Sequence, residues 1–235
     1  MKLLIGTPTY NGSVTGLFTQ SLVGLFNRLG GRDVEWRTAK AVLIVQARNQ
    51  FASLCLEGGY SHLLFLDADV DFHPRVVERM LAFDRPLVAA AYPHRALSIP
   101  AFHAAAQRYD RPQVAMAAAL TFPVELEAPR VTRGEFHRAV LAPTGMMLIR
   151  REVFEAMRNA WPELHCATAP NPEDFGGLSH VLQCFDPLPD ARGLKMGEDV
   201  SFCRRWRDLG GEIWVTFDES IGHTGPYTFR AAPNG

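Results

Sequence analysis

The sequence predicts an α/β protein with a mainly parallel central sheet flanked by helices. Short apolar runs, typical of buried strands, alternate with longer segments in which apolar residues recur at the spacing of one helix face. Strands that alternate with helices form βαβ units, and such units build parallel sheets. Hydrophobic residues make up 47% of the 235 residues, which is enough for a sizeable core in a single domain.

The first half of the chain has the more regular pattern. KLLIGTP predicts a first strand, and the continuously apolar run HLLFL predicts a strand that is covered on both faces. Helices are expected where an apolar face ends at a pair of glycines, as it does before Gly30 and Gly31. The predicted elements are a strand over 2–8, a helix over 15–29, a strand over 33–39, a helix over 44–57, a strand over 62–66, a helix over 74–83 and a strand over 85–92.

The second half of the chain is less regular. HRAVLAPTGMMLIR, residues 137–150, predicts a strand pair or a bent strand, and REVFEAMRNA after it predicts a helix. Further on, EDVSFCRRWRDL predicts another helix and EIWVTF a last strand. The stretch from Trp161 to Met196 is rich in Pro, Gly, Asp and Asn and shows little periodicity, so we expect a flexible loop near 165–196.

The composition narrows the possible functions. Lys and Arg number 24 against 25 Asp and Glu, so the chain lacks the strong positive charge of a protein that coats nucleic acid. The four cysteines show no CxxC spacing and are expected to be reduced thiols of a cytoplasmic protein. No stretch approaches the ~20 apolar residues of a membrane span, although peripheral membrane contact stays open.

Three aspartates stand at alternate positions in HLLFLDADVDF, directly after the apolar run. Side chains two positions apart on a strand point the same way, so Asp67 and Asp69 should project together from the carboxyl end of the strand. Open α/β sheets bind ligands at this edge, and carboxylate oxygens suit Mg²⁺ or Mn²⁺. The sequence therefore predicts a cation that holds a diphosphate at Asp67 and Asp69. Asp71 is expected to cap or precede the next helix.

One arginine is predicted to be buried. Arg48 falls on the apolar stripe of the helix over 44–57, next to the position of Ile44 on the helical wheel. A buried guanidinium needs an anionic or carbonyl partner. That partner is either a bound nucleotide, with Asn49 beside it, or an acidic group of the protein.

Five motifs occur in a fixed order along the chain. They are IGTPTYNG after the first strand, ARN in the second helix, FLDADV as a DxD motif, PTGMMLIRREVF in the middle, and GEDVSFCRRW followed by GHTG. In these motifs the sequence resembles the GT-A glycosyltransferases, close to the large inverting families that use nucleotide sugars. The resemblance implies a Rossmann-like GT-A fold and a single domain over 1–235. About 1–95 would be its nucleotide-sugar-binding half and about 96–235 its acceptor-binding half.

The resemblance also assigns roles to individual residues. It implies a UDP-, GDP- or TDP-sugar donor, Mn²⁺ or Mg²⁺ as cofactor, and transfer to an acceptor hydroxyl or amine. Asp199 would be the catalytic base, and Glu198 would orient the acceptor or a neighbouring group. The metal ligands would be Asp67, Asp69 and His223. The residues in contact with the nucleotide sugar would be Thr7, Pro8, Thr9, Tyr10, Arg48, Asn49, Asp67, Ala68, Thr144 and Gly145.

Each of these residues also has a purely structural explanation. Carboxylates at 198 and 199 open a helix, where its dipole favours them. A single histidine such as His223 is more often structural than a ligand. Residues 7–10 are also consistent with a plain strand-to-helix turn. Gly145 is also consistent with the glycine of a β-bulge.

Other functions stay open. A retaining GT-A enzyme would carry the same DxD motif. Phosphatases of the haloacid dehalogenase type also have a DxD after an apolar strand, but Thr or Val follows where this sequence has Asp71, and the motif usually opens the chain. A non-catalytic nucleotide-sugar-binding protein is a third alternative. The acceptor is not readable from the sequence, since polysaccharide, lipid, protein and nucleobase all fit.

Overall fold

The structure is a computed structural model, and it describes residues 1–167 and 177–226. The helices are α1 (Gly16–Leu29), α2 (Ile44–Glu57), α3 (Arg75–Phe83), α4 (Ile99–Ala106), α5 (Pro112–Ala118), α6 (Arg151–Ala160) and α7 (Glu198–Asp208). The strands are β1 (Lys2–Thr9), β2 (Asp33–Lys40), β3 (His62–Leu66), β4 (Val70–Asp71), β5 (Leu87–Ala90), β6 (Glu125–Leu126), β7 (Thr132–Arg133), β8 (Phe136–Leu141), β9 (Met146–Arg150), β10 (His165–Ala167), β11 (His180–Leu182), β12 (Ile213–Thr216) and β13 (Gly222–His223).

The centre of the protein is a large twisted sheet. Within the described residues it has nine strands, in the order β2-β1-β3-β9-β5-β12-β8-β6, with β7 also paired to β8. β1 lies parallel to β2 and β3, and β12 lies parallel to β5. β9 and β8 are the strands that run against their neighbours. Most strands therefore point the same way, and the predicted mainly parallel central sheet flanked by helices is confirmed.

Apolar layers cover both faces of the sheet. Leu3 and Ile5 of β1 pack in the layer formed with α1 and α3, whereas Leu4 packs on the other face with α2, α6 and α7. The continuous apolar run of β3 is divided between the two layers in the same way, as predicted for a strand covered on both faces. In α1 the predicted apolar face is buried except for Phe26, which is 37% exposed. No helix in the described part of the chain combines the length and apolar character needed to cross a membrane.

The order of the strands brings distant parts of the chain together. Residues 137–150 form two separate strands, of which β8 pairs with β12 and β9 inserts between β3 and β5. Leu66 at the end of β3 lies opposite Met146 at the start of β9. Because β9 is antiparallel to β3, its first residues reach the edge at which the parallel strands end. Gly145 thereby comes to lie beside Asp67.

Two short helices, α4 and α5, and the short strands β4, β6, β7, β10, β11 and β13 were not predicted from the sequence. The sequence analysis did not predict α4 and α5, whose alanine-rich segments offer little contrast between an apolar and a polar face. The capping role expected for Asp71 is wrong, because this residue lies in β4 and pairs with Gly222 of β13. Pro74 precedes α3 instead, without a side-chain cap.

A polar stripe on α2 holds the segment that contains β11. The stripe consists of Asn49, Ser53 and Glu57, which are four residues apart and therefore lie on one side of the helix. Asn49 Oδ1 accepts from the Phe185 N–H at 2.9 Å, and Ser53 Oγ accepts from the Leu182 N–H at 2.8 Å. Glu57 accepts from the backbone N–H groups of residues 179 and 180. Side chains of α2 thus supply the partners that a neighbouring strand would supply in a sheet.

The stretch that was expected to be a flexible loop contains packed structure. β10 pairs antiparallel with β11, and the Phe185 ring after them is fully buried. This ring stacks on Phe202 of α7 at a centroid distance of 4.1 Å and meets the Phe65 ring edge-on at 5.5 Å. Residues 168–176 lie outside the described residues. Flexibility near 165–196 stays a prediction.

We expect Phe185→Ala to lower the free energy of unfolding by about 3–5 kcal/mol, because the change leaves a cavity between two rings. Leu194→Ala is a matched control, since it lies in the same segment and its residue is 58% exposed. The control should change stability by less than about 0.5 kcal/mol. Urea unfolding of both variants measures the difference, and equal small effects would show that the segment is not packed in solution.

Candidate active site

Residues predicted to form a site meet in a cleft at the carboxyl edge of the sheet. The cleft has a volume of about 520 Å³. It lies where β1 and β3 end, because parallel neighbouring strands end at the same edge. Its walls include Pro8, Thr9, Tyr10, Asp67, Ala68, Asp69 and Arg95.

Asp67 is held by a buried arginine. Arg48 is 2% exposed, and its Nη2 donates to Asp67 Oδ1 at 2.7 Å. The guanidinium lies over the Phe65 ring, 4.6 Å from the centroid. Its Nε and Nη1 are buried without a hydrogen-bond partner among the described residues. The acidic partner required by the position of Arg48 on α2 is therefore Asp67.

The second oxygen of Asp67 lies in a crowded position. The Asp67 N–H donates to the Gly145 carbonyl at 2.8 Å, and the Gly145 N–H donates to the Tyr92 hydroxyl at 3.0 Å. A Cβ on Gly145 would overlap both Asp67 Oδ2 and the Tyr92 hydroxyl. Burial raises the pKa of Tyr92 far above its ordinary range, and the charge of Asp67 adds to the shift, so this hydroxyl keeps its proton.

Asp69 faces two different basic side chains. Arg95 Nη1 donates to Asp69 Oδ2 at 2.7 Å, and His223 Nε2 lies 3.5 Å from Asp69 Oδ1. Burial acts to raise the pKa of the Asp69 carboxyl, but contact with His223 and the charge of Arg95 outweigh it and lower the pKa. Burial likewise acts to lower the pKa of His223, and Asp69 and the Pro93 carbonyl outweigh it and raise the pKa.

The orientation of His223 is fixed by its surroundings. Its Nδ1 lies 2.8 Å from the Pro93 carbonyl, which can only accept, so Nδ1 carries a hydrogen. The ring meets Tyr92 edge-on at 5.0 Å, and the backbone pairs with Val70 of β4. In neutral imidazole the lone pair is then on Nε2, which faces the Asp69 carboxylate.

Asp199 and Glu198 begin α7 after Gly197, the N-cap residue. Asp199 Oδ1 accepts from the Val200 N–H at 2.7 Å, so it satisfies one of the free N–H groups of the first turn. Burial raises the pKa of Glu198, and the charges of Asp199 and Asp67 add to that effect. The charge of Asp67 therefore reaches Glu198 at the start of α7.

The predicted residues of β1 do not all face the cleft. Thr7 is fully buried, and its Oγ1 accepts from Trp36 Nε1 at 2.9 Å, so it belongs to the core. Thr9 lines the cleft, although its hydroxyl donates to the Ala39 carbonyl at 3.2 Å. Tyr10 is 76% exposed on the cleft wall, where its ring is accessible to a ligand.

Of the remaining predicted residues, Ala68 lines the cleft, whereas Asn49 and Thr144 do not. The Asn49 amide donates to Asp186 Oδ1 at 2.7 Å in addition to its contact in the polar stripe of α2. The Ala68 carbonyl accepts from the Thr15 N–H at 2.9 Å, which fixes the start of α1 against the DxD motif. Thr144 is 3% exposed, just before Gly145.

The donor set at this edge fits a cation that is shared with a ligand. Within residues 1–167 and 177–226, no three His, Cys, Asp or Glu side chains are close enough together to hold a metal ion by themselves. Mg²⁺, and Mn²⁺ in the same type of site, takes one or two protein ligands and completes its coordination with water and phosphate. The lone pair of His223 Nε2 and the Asp69 carboxylate face each other across 3.5 Å. Two facing acceptors of this kind suit such a cation.

The sequence analysis missed Tyr92 and Arg95. Tyr92 is the last residue of the predicted strand over 85–92 and Arg95 follows it, on the edge where Asp67 and Asp69 were already placed. That position is the signal that would have identified them. Neither belongs to one of the five motifs.

Comparisons with known proteins show the fold. No protein-family model matches the sequence, and no curated protein matches it. The solved structure of A197 from STIV is similar over 100% of both chains, with 15% sequence identity and a TM-score of 0.51. Mannose-1-phosphate geranyltransferase from Thermus thermophilus matches over 94% of this chain and 75% of its own, with 10% identity and a TM-score of 0.46. The first likeness is one of fold alone, and the second is too low to bear on function.

We expect Gly145→Ala to lower the free energy of unfolding by about 1–3 kcal/mol, because the added methyl must push Asp67 or Tyr92 out of place. Gly16→Ala is the control, since no atom lies within 4 Å of the added methyl there. Urea unfolding measures both variants. Equal stability of the two would contradict the crowding around Asp67.

Proposed function

We propose that the protein is a metal-dependent glycosyltransferase that moves a sugar from a nucleotide sugar to an acceptor hydroxyl or amine. One observation carries the proposal. Asp67 and Asp69 lie in a cleft at the carboxyl edge of the sheet, and the charge of Asp67 contributes to the raised pKa of Glu198 at the start of α7. This arrangement supports the proposal, because the resemblance to GT-A glycosyltransferases implies carboxylates from both places.

The cleft has the features expected of a site for a nucleoside diphosphate. Tyr10 offers an exposed ring on which a base can stack, and such stacking contributes about 1–3 kcal/mol per base. Pro8 and Thr9 continue this wall towards Asp67. Arg95 adds a positive charge on the side of Asp69. A base at Tyr10 therefore leaves its diphosphate near Asp69.

Asp69 and His223 are the residues that would hold the cation. Asp67 would contribute chiefly its second oxygen, because Oδ1 accepts a hydrogen bond from Arg48. When bound, the cation neutralises charge that develops on the leaving diphosphate. An imidazole ligand favours Mn²⁺ over Mg²⁺.

Asp199 is the proposed catalytic base of an inverting reaction. It would accept the proton of the acceptor as that group attacks the anomeric carbon. The Asp199 carboxylate is fixed at the start of α7 by the Val200 N–H. Glu198 is assigned the orienting role, and its raised pKa makes it the second candidate, since a carboxylate of higher pKa takes up a proton more readily.

We expect the binding of UDP or GDP to require Mn²⁺ or Mg²⁺, because Asp67 and Asp69 would otherwise repel the diphosphate. Calorimetry in Mn²⁺ and in EDTA measures this dependence. Asp69→Asn should abolish it, whereas Asp33→Asn, an equal change at the opposite edge of the sheet, should leave it intact. Equal affinity with and without the cation would contradict the metal role of the DxD motif.

We expect Asp199→Asn to reduce turnover by about 10²- to 10⁴-fold with little change in donor affinity, because it removes only the proton-accepting group. If the Asp199 charge only stabilises the N-terminus of α7, the substitution should leave turnover unchanged and lower the free energy of unfolding by about 0.3–1 kcal/mol. His223→Ala should instead weaken metal-dependent donor binding, and excess Mn²⁺ should partly restore activity. Steady-state kinetics of Asp199→Asn beside Glu198→Gln identifies the base. Normal turnover of Asp199→Asn would favour a retaining mechanism or Glu198.

A further inference from the structure

The two partners of Asp69 are anchored very differently. His223 is held by the Pro93 carbonyl, by the Tyr92 ring and by the backbone pairing of β13 with β4. The side chain of Arg95 is 50% exposed. Its guanidinium has one hydrogen-bond partner among the described residues, which is Asp69. Of the two, only Arg95 is free to turn away.

The stem of Arg95 has a fixed support even though its end is free. Arg95 lies in the segment between β5 and α4, outside any helix or strand. Its methylene groups pack against Gly225, where an added Cβ would lie 2.8 Å from Arg95 Cδ. The neighbouring Thr224 N–H donates to the Asp69 carbonyl at 2.8 Å, so this support belongs to the same site. Rotation of the outer side-chain bonds moves the guanidinium while the stem stays in place.

A divalent cation and Arg95 would compete for Asp69. The Arg95–Asp69 ion pair is partly exposed and contributes little, because water can solvate the guanidinium when the pair opens. A cation on the same carboxylate would also repel the guanidinium beside it. Cation binding at Asp69 and His223 therefore favours a position of Arg95 away from Asp69. Arg95 already forms part of the cleft wall, so a guanidinium that leaves Asp69 stays within the cleft.

We propose that Arg95 is the counter-ion of Asp69 in the free protein, that a divalent cation replaces it there, and that the released guanidinium then binds the diphosphate of the donor. This inference rests on the proposed function. A guanidinium suits this second role because its paired N–H groups match two phosphate oxygens. In this exchange the cation binds Asp69 and the diphosphate binds Arg95, and each binding event breaks the same ion pair. Binding of either ligand therefore strengthens binding of the other.

The test compares Mn²⁺ binding alone with nucleotide binding in saturating Mn²⁺. Arg95→Gln should bind Mn²⁺ alone about two- to fivefold more tightly, the change that corresponds to loss of an exposed ion pair. The same variant should bind UDP or GDP about 10- to 100-fold more weakly in saturating Mn²⁺, because a charged hydrogen bond to phosphate is lost. Arg95→Lys should lie between Arg95→Gln and the wild type in both assays.

Arg32→Gln is the matched control, because Arg32 is exposed and precedes β2 at the opposite edge of the sheet. It should change neither affinity. Titration calorimetry gives both constants, and thermal unfolding checks that the variants are folded. Effects of opposite sign in Arg95→Gln support the exchange.

Three results would overturn the inference. They are unchanged Mn²⁺ affinity, unchanged nucleotide affinity, and a loss of both together with lowered thermal stability. The last result would assign Arg95 a structural role. In each of these cases metal-dependent nucleotide binding by the wild type still supports the proposed function. Absence of that binding in the wild type would overturn the proposed function and the inference with it.

Discussion

The buried ion pair between Arg48 and Asp67 is the interaction on which the candidate site depends. α2 carries Arg48 into the core, where the face of Phe65 and the Asp67 carboxylate surround its charge. Removing Asp67 costs about 3–5 kcal/mol, because the charge of Arg48 is then left buried and unpaired. The stability of the fold therefore fixes the position of the first carboxylate of the DxD motif. The second carboxylate, Asp69, pairs instead with the half-exposed Arg95, so it can change its partner when a ligand binds.

The reversed strand β9 supplies the second constraint. An all-parallel arrangement would place the start of this strand at the far edge of the sheet, away from Asp67. With β9 antiparallel between β3 and β5, Gly145 reaches Asp67 and Tyr92. The Tyr92 ring also contacts His223, which faces Asp69. Tyr92 therefore lies between the surroundings of Asp67, through Gly145, and those of Asp69, through His223. The geometry around Asp67 and Asp69 thus depends on a strand order that spans the middle of the chain.

Local sequence signals predicted what depends on local physics. The apolar run of β3, the periodic faces of α1 and α2, and the buried position of Arg48 all follow from spacing within a few residues. The insertion of β9 could not be predicted, because strand order depends on contacts between residues far apart in the chain. Arg95 was missed for a different reason, because it belongs to none of the five motifs although it follows a predicted strand at its carboxyl end. The helix α4 was missed because alanine-rich segments carry little amphipathic signal.

The polar stripe of α2 has a consequence for how this protein can diversify. The pair of β10 and β11 adds no strand to the central sheet; side chains of α2 bind its backbone, and the Phe185 ring after it packs on α7 and β3. A replacement segment has to keep the four backbone N–H groups that the stripe binds, at residues 179, 180, 182 and 185, together with the buried side chains of Leu182 and Phe185. α2 also carries Arg48 on a different side. The contact of Arg48 with Asp67 is therefore separate from the contacts that α2 makes with the β10–β11 segment. Substitutions in the β10–β11 segment can therefore accumulate, by evolution or by design, without changing the cleft that contains Asp67 and Asp69.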